Sequence, residues 1–160
     1  MNEAATVEIC RHLPDADATA AAGASLAVRT RPGDIICLQG DLGAGKTTFA
    51  RGFLRALGVE EEIPSPTFNL LLTYETPLAT VWHFDLYRIS SADELIELGI
   101  EDAFADGICL IEWPDRLGPW QPQQRIDIDL RDADDGAART VRLQVFGPKD
   151  SRWPGLWPDL

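Results

Sequence analysis

The chain of 160 residues is poor in positive charge, and poorest in lysine, with only Lys46 and Lys149. Lys+Arg total 14 against 26 Asp+Glu, a formal charge of −12. Such a surface repels polyanions over long range. It argues against independent binding to DNA, RNA or an anionic membrane, where neutralising phosphates supplies most of the affinity. No apolar run is long enough to span a bilayer. The N-terminus, Met-Asn-Glu-Ala-Ala-Thr, has no basic stretch leading into an apolar one, so no secretory signal is read and the cytoplasm is expected. Cysteine is scarce too. Cys10, Cys37 and Cys109 are odd in number, form no C-x-x-C pair and share no zinc-ligand spacing with His12 or His83. They read as small buried hydrophobes in a reducing compartment.

Against this scarcity, one of the two lysines sits in a stretch of high information. Gly40-Asp41-Leu42-Gly43-Ala44-Gly45-Lys46-Thr47 reads G-x-x-x-x-G-K-T, a phosphate-binding P-loop. Its glycines let the backbone turn sharply and approach phosphates closely. The free N–H groups of a following helix, with its dipole, favour the anion. The motif assigns Lys46 to the β- and γ-phosphates and the Thr47 hydroxyl to Mg²⁺, with Asp41, Leu42, Gly43, Ala44, Gly45 and Thr48 completing the nucleotide cradle. The flanks agree. Asp34-Ile35-Ile36-Cys37-Leu38-Gln39 predicts a buried strand, and residues 48–57 predict a helix with Phe49, Phe53 and Leu57 on one face and Gly58 as its stop.

The hydrophobic content of 45% suffices for a single core, so one domain over residues 1–160 is expected, with an irregular tail from about 147. A short strand over 6–10 and an alanine-rich helix over 14–28 precede a Pro32-Gly33 turn. Glu60-Glu61-Glu62 reads as a solvated face. Prolines 64 and 66 make residues 63–68 extended and stiff. Residues 69–74 and 80–86 predict a hairpin around Pro77. Ser91-Ala92-Asp93-Glu94 has capping-box spacing and opens a helix that Gly99 ends. Ile108-Cys109-Leu110-Ile111 predicts a central strand beside the P-loop strand, and residues 125–130 and 141–145 alternate as a second hairpin across an acidic turn at 132–136. The fold class is therefore α/β, a P-loop NTPase fold: a mixed sheet, parallel at its core, with antiparallel hairpins at its edges and flanking helices. The tail Trp153-Pro154-Gly155-Leu156-Trp157-Pro158 cannot be helical. It either packs back on the body or docks on another surface.

Hydrolysis asks for carboxylates near Mg²⁺ and for an oriented water. Glu112 closes the apolar strand that begins at Ile108, where ligands bind beyond the carboxyl ends of parallel strands. Asp85, in His83-Phe84-Asp85-Leu86-Tyr87-Arg88, is a carboxylate in an apolar strand and needs a partner. Thr67, on the rigid segment, is placed where a sensor of the γ-phosphate would stand. Arg88 reads as a charge stabiliser or a salt-bridge partner, and His83 as a satisfied interior or rim histidine.

Four blocks in this order, the P-loop, Ser65-Pro66-Thr67-Phe68, His83-Phe84-Asp85-Leu86-Tyr87-Arg88 and Ile111-Glu112-Trp113, resemble the TsaE (YjeE) family of bacterial P-loop ATPases. The resemblance spans residues 40–113. It implies a part in making threonylcarbamoyladenosine in tRNA, with ATP and Mg²⁺ as ligands. It also implies TsaB and TsaD as partners, with TsaD performing the transfer. It implies that Lys46, Glu112 and Thr67 act in catalysis, that Thr47, Asp85 and Glu112 surround the metal, and that Trp113 lies near the nucleotide. Contact with tRNA would then be indirect, in keeping with the acidic surface. From the residues alone, a small-molecule kinase and a nucleotide-binding module without turnover stay open. No arginine-rich lid speaks for the first, and Glu112 speaks against the second.

Overall fold

The computed structural model describes residues 4–41, 43–133, 136–148 and 150–158. Seven strands form one sheet: β1 (Val7–Leu13), β2 (Ile35–Gln39), β3 (Leu71–Glu75), β4 (Thr80–Asp85), β5 (Ile108–Glu112), β6 (Arg125–Asp132) and β7 (Arg139–Phe146). Their order is β1-β7-β6-β2-β5-β4-β3. The four central strands, β6, β2, β5 and β4, run parallel, and β3, β7 and β1 are antiparallel to their neighbours. The apolar runs in β2 and β5 are buried because helices cover both sides of the sheet. β6 is not at an edge. It pairs in parallel with β2, so the β6–β7 hairpin flanks the P-loop strand directly and β1 forms the outer strand. The expected strand over 6–10 continues to Leu13.

Alternation of side chains divides the core in two. Ile36, Leu38, Leu110 and Val81 face helices α1 (Ala16–Ala27) and α2 (Lys46–Ala56). Cys37, Cys109, Phe84 and Ile111 face α3 (Ala92–Glu97), α4 (Ile100–Asp106) and the 3-10 turns of Pro114–Trp120. Asp15 caps α1 by accepting the Ala18 N–H at 2.8 Å. Helices α1 and α2 touch through glycines: a Cβ on Gly23 would lie 2.2 Å from the Phe49 carbonyl oxygen, and one on Gly52 2.0 Å from that of Ala20. Ser91 and Glu94 form the expected capping box. Gly99 ends α3 as expected, but with φ 87° it also opens α4, which the sequence pattern did not disclose.

Two further expectations need correction. The segment 63–68 is extended only as far as Ser65. Pro66 O then accepts the N–H groups of Asn69 and Leu70, at 3.1 and 2.8 Å, closing a helical turn, as Pro at the start of a turn permits. Of the cysteines, Cys37 and Cys109 are buried, with the Cys109 thiol pushed up to about 12 by burial and Cys37 raised further, but Cys10 is exposed. Glu60, Glu61 and Glu62 are exposed. In the acidic turn, Asp134 and Asp135 lie outside the described residues, as does Lys149.

The tail packs back on the body. Trp153, Leu156 and Trp157 are buried in the core beneath α1. Trp157 Nε1 donates to Ala22 O at 2.9 Å, and its own carbonyl accepts from Arg11 Nε at 2.6 Å. Among the described residues no helix is long and apolar enough to cross a membrane. Trp157→Ala is expected to cost about 3–5 kcal/mol, the range for emptying a buried aromatic site. Urea denaturation monitored by far-UV circular dichroism measures it. A change under about 1 kcal/mol, the scale of a surface substitution, would contradict the packing.

Candidate functional site

The P-loop follows β2, and each of its bends is tied to a neighbour. Gly40 has φ 152°, and a Cβ there would lie 2.7 Å from the carbonyl oxygen of Leu130 in β6. Gly43 (φ 82°) has open space where a Cβ would be, and Gly45 (φ 101°) caps α2. Lys46, Thr47 and Thr48 form the first turn of α2, so their N–H groups have no intrahelical acceptor. Of the expected cradle, Leu42 lies outside the described residues.

Lys46 is 6% exposed. Its ammonium donates to Gly40 O at 2.7 Å and lies 4.0 Å from the centre of the Trp113 ring. Burial lowers its pKa. The carboxylates of Glu112, Asp85, Asp41 and Asp115, in falling order of effect, oppose that shift. Trp113 has φ 59° and is tilted against Tyr87 with ring centres 4.9 Å apart.

Asp85 and Glu112 are cross-strand neighbours at the carboxyl ends of β4 and β5, each 4% exposed. Asp85 has the partners its burial requires: Oδ2 accepts from Thr67 Oγ1 at 3.1 Å and Oδ1 from the Tyr87 N–H at 3.1 Å. Thr67 also meets Ser65 Oγ at 2.7 Å. Glu112 Oε2 lies 2.7 Å from His83 Nε2, and His83 is fully buried with no partner at Nδ1. His83 is thus only half satisfied, against expectation. Protonation at Nε2 lets it donate to Glu112 and leaves a lone pair at Nδ1. The opposite tautomer would bury an unpaired N–H, at a cost of about 1–3 kcal/mol. We assign the first.

A cleft of ≈ 620 Å³ opens beside the loop, lined by Gly40, Asp41, Ala44, Lys46 and Trp113 and, across from them, by the end of β6. Thr47, Thr67, Asp85 and Glu112 do not line it. Lys46 belongs to both groups: it lines the cleft, and Glu112 and Asp85 act on its charge. Arg88 is not placed as expected. It is exposed, and its guanidinium stands 5.1 Å over the ring of Phe68, itself 81% exposed. Two features escaped the sequence. The His83–Glu112 contact was accessible in principle, since His83 and Asp85 share a strand face. Arg139, whose side chain reaches the P-loop carbonyls of Gly43 and Ala44, lies about a hundred residues downstream with no local signal.

His83→Phe is expected to destabilise the protein by about 1–3 kcal/mol by leaving the Glu112 carboxylate buried without its donor. His83→Gln, which can still donate, should recover part of that loss. Equal chemical denaturation curves for the two variants would rule the contact out as a source of stability.

Comparison with known proteins agrees with this geometry. The family model for threonylcarbamoyl adenosine biosynthesis protein TsaE matches residues 13–141. The TsaE of Rickettsia bellii is 43% identical over 69% of this chain and 78% of its own length. That of Bacillus subtilis is 41% identical over 66% of each, and that of Haemophilus influenzae 40% identical over 74% of each. Among solved structures, Bacillus subtilis YdiB superposes with a TM-score of 0.73 and 29% identity, covering 88% of this chain and 87% of that one. The glycine loop with its buried lysine, the paired strand-end carboxylates and these matches place the chain in the TsaE family of tRNA threonylcarbamoyladenosine biosynthesis proteins, on a P-loop fold.

Proposed function

We propose that the chain is a cytoplasmic, Mg²⁺-dependent ATPase of the tRNA threonylcarbamoyladenosine machinery. It works as one domain with TsaB and TsaD, which carry the tRNA contact and the transfer, while ATP turnover resets the complex. The observation that supports this most is the buried Lys46 ammonium at the start of α2, flanked by two buried carboxylates on adjacent parallel strands.

The residues suit a nucleotide with Mg²⁺. Gly43 leaves open space beside the loop, and the first-turn N–H groups of α2 need acceptors. Among the described residues no three His, Cys, Asp or Glu side chains are grouped to hold a metal by themselves. That suits Mg²⁺, which is bound through one or two carboxylates plus substrate phosphates and water. Thr47, Asp85 and Glu112 would hold it, and when bound it neutralises charge developing on the phosphates.

The chain's own groups do the rest. The P-loop and the first turn of α2 bind phosphate through backbone N–H groups that have no acceptor within the chain's own helix. Lys46 exchanges its Gly40 carbonyl for phosphate oxygen and stays beneath Trp113, which flanks the nucleotide. His83 holds Glu112 by Oε2, so Oε1 is the oxygen left to accept from an attacking water. Thr67 now spends its hydroxyl on Asp85. Drawing that hydroxyl to a γ-phosphate would free Oδ2, and the exposed Phe68 next to it would move with the turn. The loop thereby reports nucleotide state at the surface.

The deciding experiment is Mg²⁺-dependent ATP hydrolysis by the protein alone and with purified TsaB and TsaD. Stimulation by the partners is expected. ATP that is bound yet stable in both cases would leave a nucleotide-binding module without turnover. Lys46→Ala should weaken ATP binding at least ~100-fold, the scale of losing charge-assisted bonds to phosphate, without lowering the melting temperature of the free protein. Unchanged ATP affinity in isothermal titration would contradict the P-loop role. Glu112→Gln should bind ATP normally and turn it over at least ~100-fold more slowly, as when a proton-accepting group is lost. A wild-type rate in single-turnover assays would remove Glu112 from the chemistry.

A further inference from the structure

Arg139 opens β7, and its side chain is 15% exposed. Its guanidinium points back across the hairpin to the outside of the P-loop. Nε donates to Ala44 O at 3.0 Å and Nη2 to Gly43 O at 2.8 Å. Nη1 donates to Gly136 O at 2.9 Å and Ala138 O at 2.8 Å, and Asp132 Oδ1 lies 3.3 Å from Nε. One side chain thus joins two consecutive carbonyls of the loop to two carbonyls of the β6–β7 turn.

The consequence follows from the planarity of the peptide. In a trans peptide the C=O and the next N–H point in opposite directions. Fixing Gly43 O turns the Ala44 N–H the opposite way, where it donates to Asp41 O at 3.0 Å and closes the turn of the loop. Fixing Ala44 O outward turns the Gly45 N–H away from Arg139, toward the side where phosphate N–H donors are required. Gly43 and Gly45 are the residues least able to hold a conformation by themselves. A loop whose N–H groups converge on an anion leaves its carbonyls diverging, and irregular backbone offers them no partners. The planar fork of arginine meets two such carbonyls at once, which a lysine ammonium does not.

We infer that Arg139 is a positioning residue for the nucleotide site: from the C-terminal hairpin it sets the Gly43 and Ala44 peptide planes so that the loop is organised for a triphosphate before one arrives. This rests on the nucleotide reading above, but the clamp on the loop is measurable without nucleotide.

The test compares wild type, Arg139→Ala and Arg139→Lys. Without nucleotide, hydrogen exchange in a peptide covering residues 40–48 should be faster in Arg139→Ala, with exchange in β5 and in the second half of α2 unchanged. ATP affinity by isothermal titration should fall at least ~10-fold, the loss expected for charge-assisted hydrogen bonds. Arg139→Lys should stay nearer to Ala than to wild type. Millimolar guanidinium chloride should restore part of the affinity of Arg139→Ala and none to Lys46→Ala. Wild-type exchange and affinity in Arg139→Ala would overturn the inference. So would faster exchange throughout the sheet without guanidinium rescue, the mark of a purely structural role. Should wild type itself bind no ATP, the nucleotide reading fails, and the exchange arm still decides whether Arg139 holds the loop.

Discussion

The buried ammonium of Lys46 is the charge around which the rest of the site is arranged. It sits in the first turn of α2, at the positive end of the helix dipole, where a cation is disfavoured. Burial adds to that cost and lowers its pKa, while Glu112, Asp85, Asp41 and Asp115 counter it. The sign follows directly. Between the lowered native pKa and the ordinary lysine value, the unfolded chain binds the proton more readily than the folded one. Raising the pH through that window therefore relieves the cost of burying the charge. At neutral pH the ammonium is held by one carbonyl, one indole face and a ring of carboxylates. A helix start carrying both a cation and N–H groups without intrahelical acceptors is suited to an anion such as phosphate.

The carboxylates are in turn placed by the sheet. Glu112 closes β5 next to Leu38 of β2 on one side and Asp85 of β4 on the other. Two buried acids side by side would repel each other, so each has its own donors: His83 for Glu112, Thr67 and the Tyr87 N–H for Asp85. The donors come from β4 (His83), from the backbone just after it (Tyr87) and from the turn that Pro66 opens (Thr67). Any movement of that turn therefore changes the partner of Asp85 before it touches Glu112.

Legibility in the sequence followed range. The glycine loop, the apolar strands on its flanks, the capping box at Ser91 and both hairpins are local patterns, and the structure contains each of them. Glu112 is legible because a strand end beside a P-loop is a position with meaning, and Asp85 because a carboxylate in an apolar strand needs a partner. The rest depends on pairings between distant residues. Helix α4 begins at a glycine that by itself reads as an end, and the turn after Pro66 is closed by backbone bonds that proline content does not announce. Nothing near Arg139 speaks of a loop some ninety-five residues earlier. Arg88 shows the reverse: a motif arginine promised charge chemistry, and its contact is the face of Phe68.

The position of β6 changes how the C-terminal third is understood. An edge hairpin could be lost or varied with little effect on the P-loop. Here β6 is hydrogen-bonded to the P-loop strand itself, and the Leu130 carbonyl leaves room only for glycine at position 40. The far end of β7 begins with Arg139, and beyond its near end the chain returns to bury Trp153 and Trp157 against the helix layer that supports α2. The loop is thus held from both sides of β2. On one side β5 and β4 supply carboxylates, which act on the charge of Lys46. On the other, β6 and β7 supply backbone sterics and a guanidinium, which act on the shape of the loop. Charge and shape are delivered by different halves of the sheet, so a change at the β6–β7 turn can alter the loop without touching Asp85 or Glu112.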